Sequence, residues 1–412
     1  LGFFSKKKIP KKLLQMDEIK KIVQRLKKED TDRMLKNDIE FDKIILNYLR
    51  CEDCKLIVTG QRAIEALLPN DIPPDPIKNH FEIISDYPHK HRNEIADLLE
   101  ANGYTDVQRL IYGSNPTINV KHRTRVKFYY AKTQLFNSID VRIIEGIRYE
   151  SEIMLKIKIY SQFTNPSSNI GDWKELYQIN TALNKKFELE TGKRKCFIVP
   201  EKYINDPEII KFKKILLNSF LKNPKIIIVG MFGYQMLVNP DAENKINYFE
   251  VISLNIKEDI EKIKTLLGSK DILIKKTGAT LNYHGPKLSI YYNKHKLIDL
   301  YDGKNDCVPF TSINGYTIGS FHLILKYLYI GVWVAKKQIN NKFVEQKNLC
   351  LIDNLIKTRE QYLINNKKIG VEPGPFKIFH TMCIGKREDI ILQEYENKWD
   401  YLAKKYKKNK PE

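Results

Sequence analysis

Apolar and polar positions follow two rhythms along the chain, and the same succession of rhythms occurs twice. From Met16 to Arg50 the spacing is helical, carried by Ile19, Ile22, Val23 and Leu26 and then by Ile44, Ile45, Tyr48 and Leu49. The texture then changes. Lys55–Thr59 (KLIVT) reads as a short apolar strand, Gly60 as a turn, and Arg62–Leu68 as the opening of a helix. A proline-rich loop from Pro69 to Pro76 leads to a second strand, His80–Ser85 (HFEIIS). The helix Arg92–Ala101 follows, and then β-rich sequence as far as Asp140, Val141 and Arg142.

The second half reads the same way. Lys225–Val229 (KIIIV) is the strand, Gly230 the turn and Tyr234–Val238 the helix opening. Phe249–Ser253 (FEVIS) matches Phe81–Ser85 (FEIIS) almost letter for letter, and Asp259–Leu267 stands where Arg92–Ala101 stood. Tyr129-Tyr130-Ala131-Lys132 is echoed by Tyr291-Tyr292-Asn293-Lys294, and each echo leads to an Ile-Asp pair, Ile139-Asp140 and Ile298-Asp299. Four landmarks in one order point to an internal duplication.

Helical patterns follow each half: Trp173–Leu189 and Pro207–Leu221 after the first, then Ile318–Lys337, Cys350–Ile364 and Ile390–Tyr406. The expected fold class is α/β (α+β), two tandem units with mixed sheets flanked by helices. The expected organisation is an N-terminal helical segment (1–50), a first unit with its following helices (51–205), a second unit (206–315) and a C-terminal helical region with a basic tail (316–412).

Composition narrows the class. The 412 residues are 42% hydrophobic and 29% charged, which fits folded domains rather than wholesale disorder. A formal charge of +20 favours a polyanionic partner, RNA or DNA first, with an acidic membrane surface or a crowded assembly second. The most apolar stretch, Ile318–Val334, is broken by His322, Lys326 and Gly331 and reads as a buried helix, not a membrane span. No secretory leader is legible after Lys6, Lys7, Lys8, Lys11 and Lys12. Cys51 and Cys54 form the one close cysteine pair, without a second pair or nearby histidine for zinc. Reduced thiols and a cytoplasmic setting are therefore expected.

Side chains alternate across a strand, so positions 80 and 82 share a face, and an acid at 140 on a neighbouring strand could converge there. Carboxylates gathered in this way hold hard divalent cations, and two such metals can activate a 3′-hydroxyl and steady a leaving pyrophosphate. A Gly60 turn at a helix start offers backbone N–H groups to a triphosphate.

These residues resemble the polymerase-β type of nucleotidyltransferase, and within it the poly(A) polymerases of poxviruses and giant DNA viruses. The shared pattern is an apolar strand, Gly followed by Ser or Gly, Asp-x-(Asp/Glu) on a strand and a later Asp; the viral enzymes also carry two such units after a helical segment. The likeness covers roughly Leu56 to Asp302. It implies adenylate addition from ATP to mRNA 3′ ends, with Mg²⁺ or Mn²⁺ on Glu82 and Asp140, and Gly60 and Gln61 at the nucleotide. It also implies single-stranded RNA as partner, no membrane, a homodimer or a viral processing partner, and host cytoplasm or a virion as location.

The departures lie at the same positions. Gln61 replaces Ser or Gly, and His80 stands where the first catalytic Asp belongs; the second half holds Tyr248, Glu250 and Asp299. Asp71 and Asp75 lie in the loop at a spacing that does not place both on one strand face. Imidazole suits Mn²⁺ or Zn²⁺ better than Mg²⁺. Two readings stay open: an active enzyme using Glu82, Asp140 and His80, and a catalytically degenerate descendant serving as an RNA-binding or structural subunit. Lys121, Arg123, Arg125 and Lys127 are the candidate RNA contacts, while Val126, Phe128 and Tyr130 alternate as the core face of that strand.

Overall fold

Sheet-forming runs and the helices between them build the same layout twice. The computed structural model of the protein describes residues 21–22, 25, 39–51, 55–69, 80–112, 115–164, 173–187, 206–241, 246–268, 271–278, 285–304, 306–337, 339–366, 374–377 and 383–385. Helix α1 covers residues 39–49. The first repeat runs β1 (Ile57–Thr59), α2 (Gly60–Leu67), β2 (Phe81–Ser85), α3 (Pro88–Ala101), β3 (Val107–Tyr112), β4 (Asn115–Val120), β5 (Arg123–Tyr130), α4 (Thr133–Ser138), β6 (Val141–Ile144) and β7 (Ile147–Glu150). Helices α5 (Glu152–Phe163), α6 (Trp173–Lys186) and α7 (Pro207–Ile215) follow, the last continuing into a π-helical turn at Leu216–Phe220.

The second repeat runs β8 (Ile226–Val229), α8 (Gly230–Val238), β9 (Phe249–Ser253), α9 (Ile256–Leu267), β10 (Ile272–Thr277), β11 (Lys287–Tyr292), β12 (His295–Asp302), β13 (Cys307–Ile313) and β14 (Tyr316–Gly319). Helices α10 (Phe321–Lys337) and α11 (Lys342–Asn366) and the short strand β15 (Cys383–Gly385) follow.

The strand orders match one for one. The first sheet is β3-β4-β5-β2-β1-β7-β6 and the second β10-β11-β12-β9-β8-β14-β13, with β15 added at its edge. The parallel pairs are β2 with β5 and β1 with β7 in the first sheet, β9 with β12 and β8 with β14 in the second. Even the register break falls in the same place, between β4 and β5 and between β11 and β12. Strands β1 and β8 are buried along their whole length, which is why they are unbroken apolar runs.

Local chemistry repeats too. Gly60 and Gly230 open α2 and α8 with φ of +65° and +62°, a left-handed turn that glycine takes without steric cost. Ser85 and Ser253 end their strands fully buried, their hydroxyls accepting from the backbone N–H of Tyr87 and Asn255. Ser151 caps α5 by accepting from Met154 N–H, and Ser320 does the same for α10 through Leu323 N–H.

The chain divides into two compact units, the first made of residues 1–58, 78–130 and 143–149 and the second of residues 59–77, 131–142 and 150–412. In the first, β2 and β5 centre a core of Phe81, Ile83, Val126 and Phe128. In the second, α10 packs on α5 and α11, stacking Tyr329 on Tyr160 at 5.5 Å between ring centroids.

Several expectations are corrected here. The Tyr-Tyr and Ile-Asp landmarks slip by one strand: Tyr129-Tyr130 ends β5, whereas Tyr291-Tyr292 ends β11, the counterpart of β4. Asp299 lies inside β12, the counterpart of β5, whereas Asp140 immediately precedes β6. The connections differ, because α4 follows β5 while a short loop follows β12. Tyr130 is 60% exposed, so the core face of β5 stops at Phe128.

The thiols are not all reduced: antiparallel pairing of β15 with β13 sets Pro309 opposite Cys383, and Cys383 is bonded to Cys307 across a Cα–Cα distance of 5.2 Å. A separation of 76 residues hid that proximity. Cys350 is disulfide-bonded as well, while Cys51 is free and exposed. Among the described residues no helix is long and apolar enough to cross a membrane. The expected helix at 390–406, the lysine tail and the Asp71–Asp75 loop lie outside the described residues.

Candidate active site and its counterpart in the second repeat

Paired residues on parallel strands point their side chains to the same side, so register decides what meets Glu82. Glu82 of β2 is paired with Lys127 of β5, and Ile84 with Tyr129. His80, two residues before Glu82, places its Nε2 3.2 Å from Glu82 Oε1, with the two side chains 30% and 25% exposed. Along β5, Val126 and Phe128 are buried, which leaves Arg125, Lys127 and Tyr129 on the face shared with Glu82; beyond the register break Arg123 pairs with Val120, on the side of the Ile118–Val126 pair. The Lys127 ammonium lies 5.0 Å from the centre of the Tyr129 ring, and the Arg125 guanidinium 4.2 Å from that of Phe41. Lys121 sits in the β4–β5 turn with φ of +50° and is exposed.

The equivalent register in the second repeat pairs Glu250 with Asp299. Asp299, only 1% exposed, accepts on Oδ2 from both Lys287 and Lys296, each at 3.2 Å. The Lys296 ammonium lies 4.3 Å from the centre of the Tyr248 ring, and Tyr301 O–H donates to Glu250 Oε1 at 3.0 Å. Burial pushes the Glu250 carboxyl above its ordinary range, and the Asp299 carboxylate pushes it further, against the Tyr301 hydrogen bond and the two lysines.

The topological counterpart of Asp299 is therefore Lys127, and the expected equivalence of Asp140 with Asp299 is corrected. Asp140 belongs to the second unit and Glu82 to the first. Asp140 is 3% exposed and held by Lys336 at 2.8 Å and Lys337 at 3.0 Å, the two cations of the last turn of α10. Burial works to raise its pKa, but the bonds from Lys336, Lys337 and Ser151 outweigh it and leave the carboxyl below its usual value. Replacing Asp140 with Asn is expected to cost about 1–2 kcal/mol of stability by weakening two charge-assisted bonds, read as a lowered urea midpoint. A group depressed on folding stabilises above its unfolded pKa and loses that contribution as pH falls through the folded value. The wild-type and Asp140→Asn unfolding curves should thus converge in strong acid, and a constant difference down to low pH would contradict the ion-pair account.

Gly60 and Gln61 also lie in the second unit. The Gln61 amide is turned along α2 to Glu65, at 3.2 Å. At the same helix start, Thr59 donates to the buried Glu150, which holds Lys158 at 2.7 Å. This Thr59–Glu150–Lys158 group, and the lysines on Asp299, were not singled out in the sequence. Thr59 and Glu150 are 91 residues apart, and the Lys287–Asp299 pair depends on strand register. Lys127 was expected as an RNA contact, and its pairing with Glu82 follows only from the register of β2 with β5.

A pair of divalent cations needs several oxygen ligands on one face. The first repeat offers one carboxylate with an imidazole and an ammonium; the second offers two carboxylates, with Asp299 already neutralised by lysines. Among the described residues no group of three or more His, Cys, Asp or Glu side chains is placed to hold a metal ion. The described residues at these two positions do not fit a two-metal site.

Residues 192–410 match the family model described as "APMV, Putative poly(A) polymerase, catalytic subunit, C-terminal". The chain is similar to the "Putative poly(A) polymerase catalytic subunit" of Acanthamoeba polyphaga mimivirus, 23% identical over 390 residues, covering 83% of this chain and 66% of that protein. It thus spans slightly less than two thirds of that relative's length. Its fold is similar to the crystal structure of the Megavirus polyadenylate synthase, with a TM-score of 0.79 and 20% identity over 100% of this chain and 89% of that one. On the match of its C-terminal half and the duplicated fold, the chain belongs to the mimivirus-type family of viral poly(A) polymerase catalytic subunits.

Proposed function

We propose that the protein serves polyadenylation of viral mRNA in the host cytoplasm as a catalytically degenerate, RNA-binding subunit of a larger assembly. The observation that carries this reading is the register of Lys127 beside Glu82. It sets a cation where a two-metal enzyme needs a carboxylate, on a strand face that also bears Arg125 and Tyr129. Lysine and arginine suit phosphates, and a tyrosine ring suits a base of single-stranded RNA. Part of that affinity comes from counterion release, so binding weakens steeply as salt rises.

Family membership favours a second reading, in which this chain itself adds AMP from ATP to RNA 3′ ends with Mg²⁺ or Mn²⁺. One experiment separates the two: pure protein with an oligo(A) primer, labelled ATP and either Mg²⁺ or Mn²⁺. The expected result is a retained, unextended primer with both metals. Extension that disappears in Glu82→Ala would establish the second reading and overturn the first.

A further inference from the structure

We infer that lysine ammonium groups stand in this chain where divalent cations would stand, and that the open face of the first repeat takes phosphate oxygens directly, without metal. The inference rests on the RNA-binding reading and names the chemistry of that site. The ligand class is the phosphate oxyanion, supplied either by the phosphodiesters of an RNA end or by a nucleoside triphosphate.

The second repeat shows the substitution completed. Two ammonium groups, Lys287 and Lys296, meet at a single oxygen of Asp299, and Asp299 is the register partner of Glu250. Two lysines against two carboxylates leave that site electrically balanced, and Asp299 is closed to solvent. Such a site has neither a charge deficit for a cation nor an excess for an anion.

In the first repeat the same slot on the sheet, filled by Asp299 in the second, holds Lys127 itself. The face is accessible, since Glu82 and His80 keep a quarter to a third of their side-chain surface. Among the described residues it carries Lys127 beside Glu82 and His80, with Arg125 further along β5 stacked on Phe41. The ammonium of Lys127, close to the Tyr129 ring, is a fixed positive charge on a half-covered surface. A phosphate placed there gains a charge-assisted hydrogen bond where a metal-dependent enzyme would have placed Mg²⁺ between protein and phosphate.

The test measures binding of a labelled oligo(A) to the full chain by fluorescence anisotropy, in excess EDTA and in Mg²⁺ at matched ionic strength. Affinity is expected to agree within about twofold in the two buffers, and tripolyphosphate should compete in EDTA. Lys127→Ala should weaken binding about tenfold, the loss of one charge-assisted contact, and Lys127→Arg should restore most of it. Lys127→Asp should weaken binding in EDTA and regain it on addition of Mn²⁺. Lys287→Ala, at the closed site, should leave oligo(A) affinity unchanged.

Binding that requires metal in the wild type would overturn the inference and leave the RNA-binding reading standing. So would wild-type affinity in a Lys127→Ala protein whose thermal unfolding is normal. Tripolyphosphate binding in EDTA without any oligo(A) binding would do the reverse, supporting the phosphate site and removing RNA as its ligand.

Discussion

Gly230→Ala is expected to destabilise the second repeat by about 2–5 kcal/mol. Two costs combine. The residue opens α8 at φ of +62°, a conformation that costs an L side chain about 1–2 kcal/mol. A Cβ there would also lie 2.0 Å from Glu250 Oε2, 2.5 Å from its Cδ and 2.8 Å from its Cβ. Overlap of that kind in a packed region costs about 1–3 kcal/mol more. Gly268 caps α9 at φ of +60° with nothing within 4 Å of its Cβ position, so Gly268→Ala isolates the conformational cost at about 1 kcal/mol. Adding Glu250→Ala to Gly230→Ala should recover much of the steric part. Urea unfolding of the single and double variants reads both terms, and equal losses at Gly230 and Gly268 would show that Glu250 does not press on the turn.

Trp333→Ala is the second large effect, about 3–5 kcal/mol. Trp333 is fully buried in α10, and its indole N–H donates to the Ser138 carbonyl at 2.7 Å. Two residues on from that carbonyl, Asp140 receives Lys336 and Lys337 from the end of the same helix. One helix thus fixes the segment 138–140 by a ring, a hydrogen bond and two ion pairs. Trp333→Phe keeps most of the volume and loses the hydrogen bond, and should cost about 1–2 kcal/mol. If Trp333→Ala melts like the wild type, the segment is held by something else and the structural role given to Asp140 fails with it.

That role shows where sequence reading stops. The duplication was legible because a central strand buried on both sides must be an unbroken apolar run, and KLIVT and KIIIV are such runs, each ending in a left-handed glycine. FEIIS and FEVIS were legible for a related reason: buried positions surround one half-covered acid, and a buried serine closes the strand. The expected match of Asp140 with Asp299 failed because an Ile-Asp dipeptide carries no information on strand register. Asp140 and Asp299 share neighbours in sequence but occupy non-equivalent places, and the equivalent of Asp299 is a lysine no dipeptide match could find. Charge was informative in total and silent in detail. An excess of lysine suggested a polyanion, yet it did not reveal that Lys287 and Lys296 spend their charge on Asp299 while Lys127 lies on an accessible face. The disulfide of Cys307 with Cys383 escaped for the same reason, since it depends on an edge strand pairing far from its partner in the chain.

The central claim is that neither repeat holds a pair of divalent cations. Crystals of the full chain soaked in Mn²⁺, with anomalous difference maps collected above the manganese edge, test it most directly. The account predicts no anomalous peak beside Glu82 and none beside Glu250 and Asp299. Two peaks roughly 3.5–4 Å apart at Glu82, the spacing of a two-metal centre, would contradict it.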